Sequence, residues 1–97
     1  MQMYQLSLLG DGRANEWSGL ITQHTVWVRE HNRIEQKLHE LNPHWNGERL
    51  YQEARRIVVG EWQVAVYNEY LPTVLGADLM RRYGLLLADS SLPFWNG

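Results

Sequence analysis

The chain has no cysteine. That removes disulfides, thiolate chemistry and cysteine-ligated zinc or iron–sulfur centres from the possible functions. It also has no excess of positive charge, since nine Lys and Arg stand against eleven Asp and Glu for a net charge of −2. Bulk electrostatic binding of nucleic acid therefore has little basis. No apolar run approaches the roughly 20 residues needed to cross a bilayer, and the N-terminus lacks the charged-then-apolar pattern of a signal peptide. No internal repeat or low-complexity tract interrupts the 97 residues. What remains is one domain at most, able to bury a modest core. Its 44% hydrophobic and 21% charged residues separate it from a disordered chain.

Rings are the excess. Five tryptophans and five tyrosines are many for this length, and such side chains dominate cores and interfaces. If the chain is part of something larger, some of these rings face the remainder; if it is not, they favour self-association.

Residues 1–9 mix apolar and polar types and read as an extended lead-in. Gly10-Asp11-Gly12-Arg13-Ala14-Asn15-Glu16 reads as a loop, with glycines for unusual backbone angles and Asp11 and Asn15 as turn caps. Ser18 is the expected N-cap of a first helix running to about Leu41. Leu20, His24, Trp27, His31, Ile34, Leu38 and Leu41 recur at spacings of four and three and form one stripe. At the usual rise per residue the helix is about 36 Å long. Asn42-Pro43 stops it, because the residue before proline is pushed out of the helical region.

Asn46 is the expected N-cap of a second helix, with Glu48 in its first turn. That helix is expected to run from Gly47 to Asn68 or Tyr70, with Leu50, Ala54, Ile57, Val58, Glu61, Val64, Ala65 and Asn68 along one side. Gly60 in its middle points to a close neighbour. Pro72 is expected to end or kink the element. One more turn over Thr73 to Gly76 and a short helix over Ala77 to Tyr83 follow, the latter capped by Gly84. The fold expected is all-α, with two long helices packed together and short C-terminal helices. Residues 1–17 form a loop segment, 18–84 the helical part and 85–97 an irregular tail.

Two readings of single residues come from chemistry alone. Arg13 and Glu16, three apart, could form a local ion pair. His24 and His31 lie on the apolar stripe, seven apart with no obvious third ligand, and read as hydrogen-bonded structural histidines rather than metal ligands. Trp27 reads as core, and His39 and His44 as surface or loop residues. Arg49, Arg55 and Arg56 read as a solvated or domain-facing surface.

The ordered blocks carry a resemblance. Gly10-Asp11-x-Arg13-Ala14-Asn15-Glu16, then His24-Thr25-x-Trp27-x-Arg29-Glu30-His31-Asn32-Arg33-Ile34, resemble the animal-type haem peroxidase family. Leu41-Asn42-Pro43-x-Trp45, Glu48-Arg49-Leu50-Tyr51-Gln52-Glu53-Ala54-Arg55 and Tyr67-Asn68-Glu69-Tyr70-Leu71-Pro72 continue it. The likeness covers roughly Leu8 to Tyr83.

The resemblance implies that Arg13 is the arginine on the distal side of the haem, where it helps polarise and cleave bound hydrogen peroxide. It implies that Glu16 matches the carboxylate able to form an ester to the haem. Trp17 stands where myeloperoxidase-like members have methionine, so no methionine–haem link is implied. In the family, the distal histidine lies well upstream of the Gly-Asp-x-Arg segment, and the proximal histidine that ligates iron lies well downstream of Tyr70. The four histidines here align with other positions, so the resemblance implies an internal slice of the haem domain that is not a competent peroxidase alone.

The expected activity of the whole is peroxide-dependent oxidation of halide or organic donors, in the setting of oxidative stress. Haem is the cofactor, no separate metal site is expected, and kinship alone points to secretion. The alternative is a non-catalytic helical interaction module derived from the same family.

Overall fold

Helix accounts for nearly all of what the computed structural model describes, residues 11–86. A 3₁₀ turn over Gly12–Asn15 leads into α1, Ser18–Leu41, and then α2, Gly47–Ala65. A π-helical segment, Val66–Tyr70, joins α2 to α3, Leu71–Leu75, and α4 is Ala77–Arg82. No strand occurs among the described residues, as the all-α expectation required. The lead-in expected at residues 1–9 and most of the tail expected at 85–97 lie outside them.

By its contacts the chain divides into two compact units, between Val58 and Val59. In the first unit, α1 occupies the span its apolar spacing predicts. Ser18, however, is the first helical residue rather than the cap. Trp17 holds the cap position with extended backbone and no side-chain hydrogen bond. The Trp17 carbonyl takes the N–H groups of Leu20 and Ile21 at 3.1 and 3.2 Å. At the other end Asn42 caps α1, its backbone and side-chain nitrogens both donating to the Leu38 carbonyl.

The expected cap of α2 is present: the Asn46 side-chain oxygen accepts from the Arg49 N–H at 2.9 Å. This satisfies one of the donors that every helix start leaves open. Arg49 then turns its guanidinium over the Trp45 ring, 4.3 Å from the centroid. A cation over an indole face is favourable even at an exposed site, and it ties the loop to the first turn of α2.

The apolar stripe of α1 holds along most of its length. Ile34 is buried, and Leu20, His24, Trp27, His31 and Leu38 are half-buried. Trp27 is thus a flank of the core rather than its centre. Leu41 departs from the expectation altogether at 77% exposed, because it is the last residue of α1 and the chain turns away at Asn42. On α2, Leu50 and Ala54 are buried as the spacing predicts. The two helices meet at His31, whose ring lies 5.1 Å from that of Tyr51. His31 Nε2 stands 3.4 Å from the Tyr51 carbonyl, and Nδ1 lies 3.9 Å from Glu35. His24 Nδ1 donates to the Leu20 carbonyl at 2.8 Å. Both histidines serve the scaffold.

The second unit corrects three expectations. Gly60 has nothing within 4 Å of the position a Cβ would take, so no close neighbour explains it. The α-helical part of α2 ends at Ala65, short of Asn68 or Tyr70. There the turn widens, and the Leu71 N–H reaches back five residues to the Val66 carbonyl. This widened turn lies directly ahead of Pro72, whose ring would collide with the carbonyl four residues back in a continuous α-helix. Pro72 therefore does not end the helical path. It sits in the first turn of α3, where its missing N–H costs nothing. Gly76, at φ +78°, makes the actual break.

The terminus of α4 is the one foreseen at Gly84. That residue has φ +65°, its N–H donates to the Arg81 carbonyl, and the Leu85 N–H donates to the Met80 carbonyl. This paired closure needs a left-handed residue, which glycine supplies without penalty. Met80 beneath it is fully buried.

Candidate functional site

The segment Asp11 to Trp17 is built as a short, tight entry to α1. Asp11 has extended backbone, and its carboxylate accepts the Arg13 N–H at 2.9 Å. The Ala14 N–H donates to the Asp11 carbonyl and the Glu16 N–H to the Arg13 carbonyl, each at 3.1 Å. Ala14 is buried, at 1% exposure, and anchors the turn. A larger residue there would overpack the junction.

Around this anchor Arg13 and Glu16 are exposed. Arg13 is paired, but not with Glu16. Its Nε donates to Asp11 Oδ1 at 3.1 Å and its Nη2 to Asp11 Oδ2 at 2.8 Å, a two-point fork. Helix spacing predicts an Arg13–Glu16 pair. The extended backbone at Asp11 instead folds that carboxylate back over the turn.

Two hydrogen bonds from Arg13 hold the Asp11 carboxyl down at about 2, below its ordinary 3.8, and the positive charge of Arg13 and of His24 on α1 adds to this. The same contact raises the Arg13 guanidinium further above its ordinary range. The folded value is the lower one. The pair is therefore complete above about pH 4 and is lost as pH falls through about 2.

Glu16 is exposed, and its carboxylate has no hydrogen bond or ion pair among the described residues. Asn15 Oδ1 is the single buried side-chain polar atom among them without a hydrogen-bond partner. Trp17 follows, 62% exposed, with its ring filling the space that a Cβ on Gly19 would need. No group of three or more His, Cys, Asp or Glu able to hold a metal ion occurs among the described residues.

The remaining candidates are scattered. His39 and His44 are exposed, as expected, and His44 meets the edge of Trp45. Arg49, Arg55 and Arg56 are all exposed, with Arg56 paired to Glu53 at 3.2 Å. No described helix is long and apolar enough to cross a membrane.

Asp11 caps the turn as its residue type predicts; its fork to the Arg13 side chain is the contact that sequence reasoning misses. The signal available was an acidic residue flanked by two glycines two positions before an arginine, a spacing that helix rules do not pair.

Comparison with known proteins gives one family. The family model for animal haem peroxidase matches residues 2–96. The chain is 53% identical to the chorion peroxidase of Aedes aegypti over 76 residues, which is 78% of this chain and 10% of that protein. It is 53% identical to the myeloperoxidase of Homo sapiens over 76 residues, with the same coverage of both chains. It is 52% identical to the peroxidasin homolog of Homo sapiens over 77 residues, 79% of this chain and 5% of that one. The chain thus spans a tenth or less of the length of these relatives. No solved structure matches it significantly.

Proposed function

Because the chain belongs to the animal haem peroxidase family, we propose that its Asp11–Glu16 turn supplies the distal arginine and the esterifying carboxylate of a haem pocket. The iron ligand and the distal histidine belong to parts of the domain other than this stretch. The residues present fit the edge and distal face of a haem and do not fit its iron. Arg13 offers unused N–H donors, Glu16 an open carboxylate, and no ligand set gathers beside them.

Haem, when bound, supplies the redox chemistry by which peroxide is reduced and a donor oxidised. The chain's own part is electrostatic and positional. Arg13 carries a permanent positive charge and its free N–H groups stabilise negative charge developing on a departing peroxide oxygen. Glu16, held by its backbone on the same turn, fixes where the cofactor edge sits. The exposed rings of Trp17, Trp62, Tyr70 and Tyr83 support a stretch that packs into a larger domain. Halide and organic molecules are the donor classes.

The observation that carries this reading is the joint presentation, on one 3₁₀ turn within the family match, of a docked guanidinium and an unpaired carboxylate. Its test is a digest of the haem-loaded, peroxide-treated protein, read by mass spectrometry. The peptide bearing Glu16 is expected to retain covalently bound haem, and Glu16→Gln is expected to remove it. Retention of that adduct in Glu16→Gln would remove Glu16 from the role. Failure of the full-length protein to take up haem at all would favour the helical interaction module.

A further inference from the structure

Asp11 touches Arg13 through both carboxylate oxygens and from two directions. Oδ1 accepts the Arg13 backbone N–H at 2.9 Å and the side-chain Nε–H at 3.1 Å. Oδ2 accepts from Nη2 at 2.8 Å. A guanidinium has five N–H groups in a fixed plane. Two of them are spent on Asp11, along the Nε–Nη2 edge. The other three, both on Nη1 and one on Nη2, lie in the same plane along the edges that Asp11 does not occupy.

The pair is in solvent, with the Arg13 side chain 82% and the Asp11 side chain 44% exposed. An exposed ion pair adds little to stability, so its consequence is orientation. A free arginine at such exposure samples many rotamers, and a bidentate carboxylate selects one. The carboxylate's own backbone is held too, because the Asp11 carbonyl accepts the Ala14 N–H and Ala14 is buried. Guanidinium, carboxylate and buried anchor lie within four consecutive residues.

We propose that Asp11 is a positioning residue for Arg13: it docks one edge of the guanidinium so that the opposite edge is presented, already oriented, to peroxide at the distal site. This rests on the haem-pocket reading of Arg13. Charge groups bearing on Asp11 are Arg13 from its own turn and His24 from α1. No described acidic side chain is hydrogen-bonded or ion-paired to Arg13 besides Asp11.

The test uses Asp11→Asn in the full haem-loaded protein. Asparagine keeps an oxygen for the Arg13 backbone N–H and caps a turn as well as aspartate, so the turn survives while the charged fork is lost. One readout is independent of turnover: hydrogen exchange of the Arg13 Nε–H near neutral pH, followed by NMR with arginine-selective ¹⁵N labelling. It is expected to be protected in the native protein and to exchange several-fold faster in Asp11→Asn.

The second readout is the second-order rate with hydrogen peroxide, expected to fall about 10- to 100-fold in Asp11→Asn, as misplacement of a catalytic group does. Asp11→Glu, which restores the charge at a longer reach, is expected to recover part of it. Equal Nε–H exchange in native protein and Asp11→Asn overturns the inference. So does an unchanged peroxide rate in Asp11→Asn while Arg13→Ala is slow, and that result leaves Arg13's own role standing. If Arg13→Ala is also unchanged, the haem-pocket reading falls and the inference with it.

Discussion

Arg13→Ala in the full-length haem-loaded protein is expected to slow the reaction with hydrogen peroxide about 100- to 1,000-fold, the range seen when one donor to a developing oxyanion is removed. The reason is where the charge forms. As the peroxide bond breaks, the departing oxygen gains negative charge, and only interactions stronger at that point than before it speed the step. A guanidinium cannot be deprotonated at working pH, so in the proposed pocket its donors are in place before the bond breaks. Here they are also held, since Asp11 fixes the Nε–Nη2 edge at 3.1 and 2.8 Å. Arg13→Lys keeps the charge but loses the planar fork, and is expected to recover only part of the rate. Stopped-flow traces against peroxide concentration measure the effect. A rate within twofold of the native protein for Arg13→Ala would sink the assignment.

The second large effect is on stability. Ile34→Ala is expected to cost about 2–5 kcal/mol, the usual range for emptying a buried aliphatic site. Ile34 is 6% exposed, and only Ala14, Leu50 and Ala54 share that degree of burial among the described residues of the first unit. A core this small has little with which to fill a void. Leu41 belongs to the same sequence stripe but is 77% exposed, so Leu41→Ala should stay within about 0.5 kcal/mol. Urea unfolding of the two variants separates them. Equal losses would mean that the stripe, rather than the burial, decides the energetics.

The contrast between Ile34 and Leu41 shows how far the fold is legible in the chain. Four-three spacing of apolar residues places α1 from Ser18 to Leu41, and Asn42-Pro43 stops it where observed. Asn46 and Gly84 are readable as caps because their chemistry is local: an amide oxygen for an open N–H, and a left-handed backbone for a closing turn. Pattern cannot say how a helix end meets the next loop, and Leu41, though on the stripe, lies outside the core.

Pro72 is a subtler case. Proline forbids one hydrogen-bond register, and the sequence does not say whether the chain stops or changes register. The observed answer is a widened turn over Val66–Tyr70 and a continued helix. Gly60 remains without a packing reason. At the candidate site the expectation for Arg13 and Glu16 rests on family likeness alone. Asp11 is legible as a turn cap, but its fork to the Arg13 side chain is not, because helix spacing looks three and four residues along. An extended residue ahead of a 3₁₀ turn brings its carboxylate back over a neighbour two residues on.

The most direct measurement of the central claim is the structure of the haem-loaded protein with an anion such as cyanide on the iron's open face. An Arg13 N–H is expected within hydrogen-bond reach, about 3 Å, of that anion. The Asp11 fork is expected intact, and the Glu16 carboxylate at the edge of the ring. A haem bound away from this turn, with Arg13 and Glu16 both facing water, would contradict it.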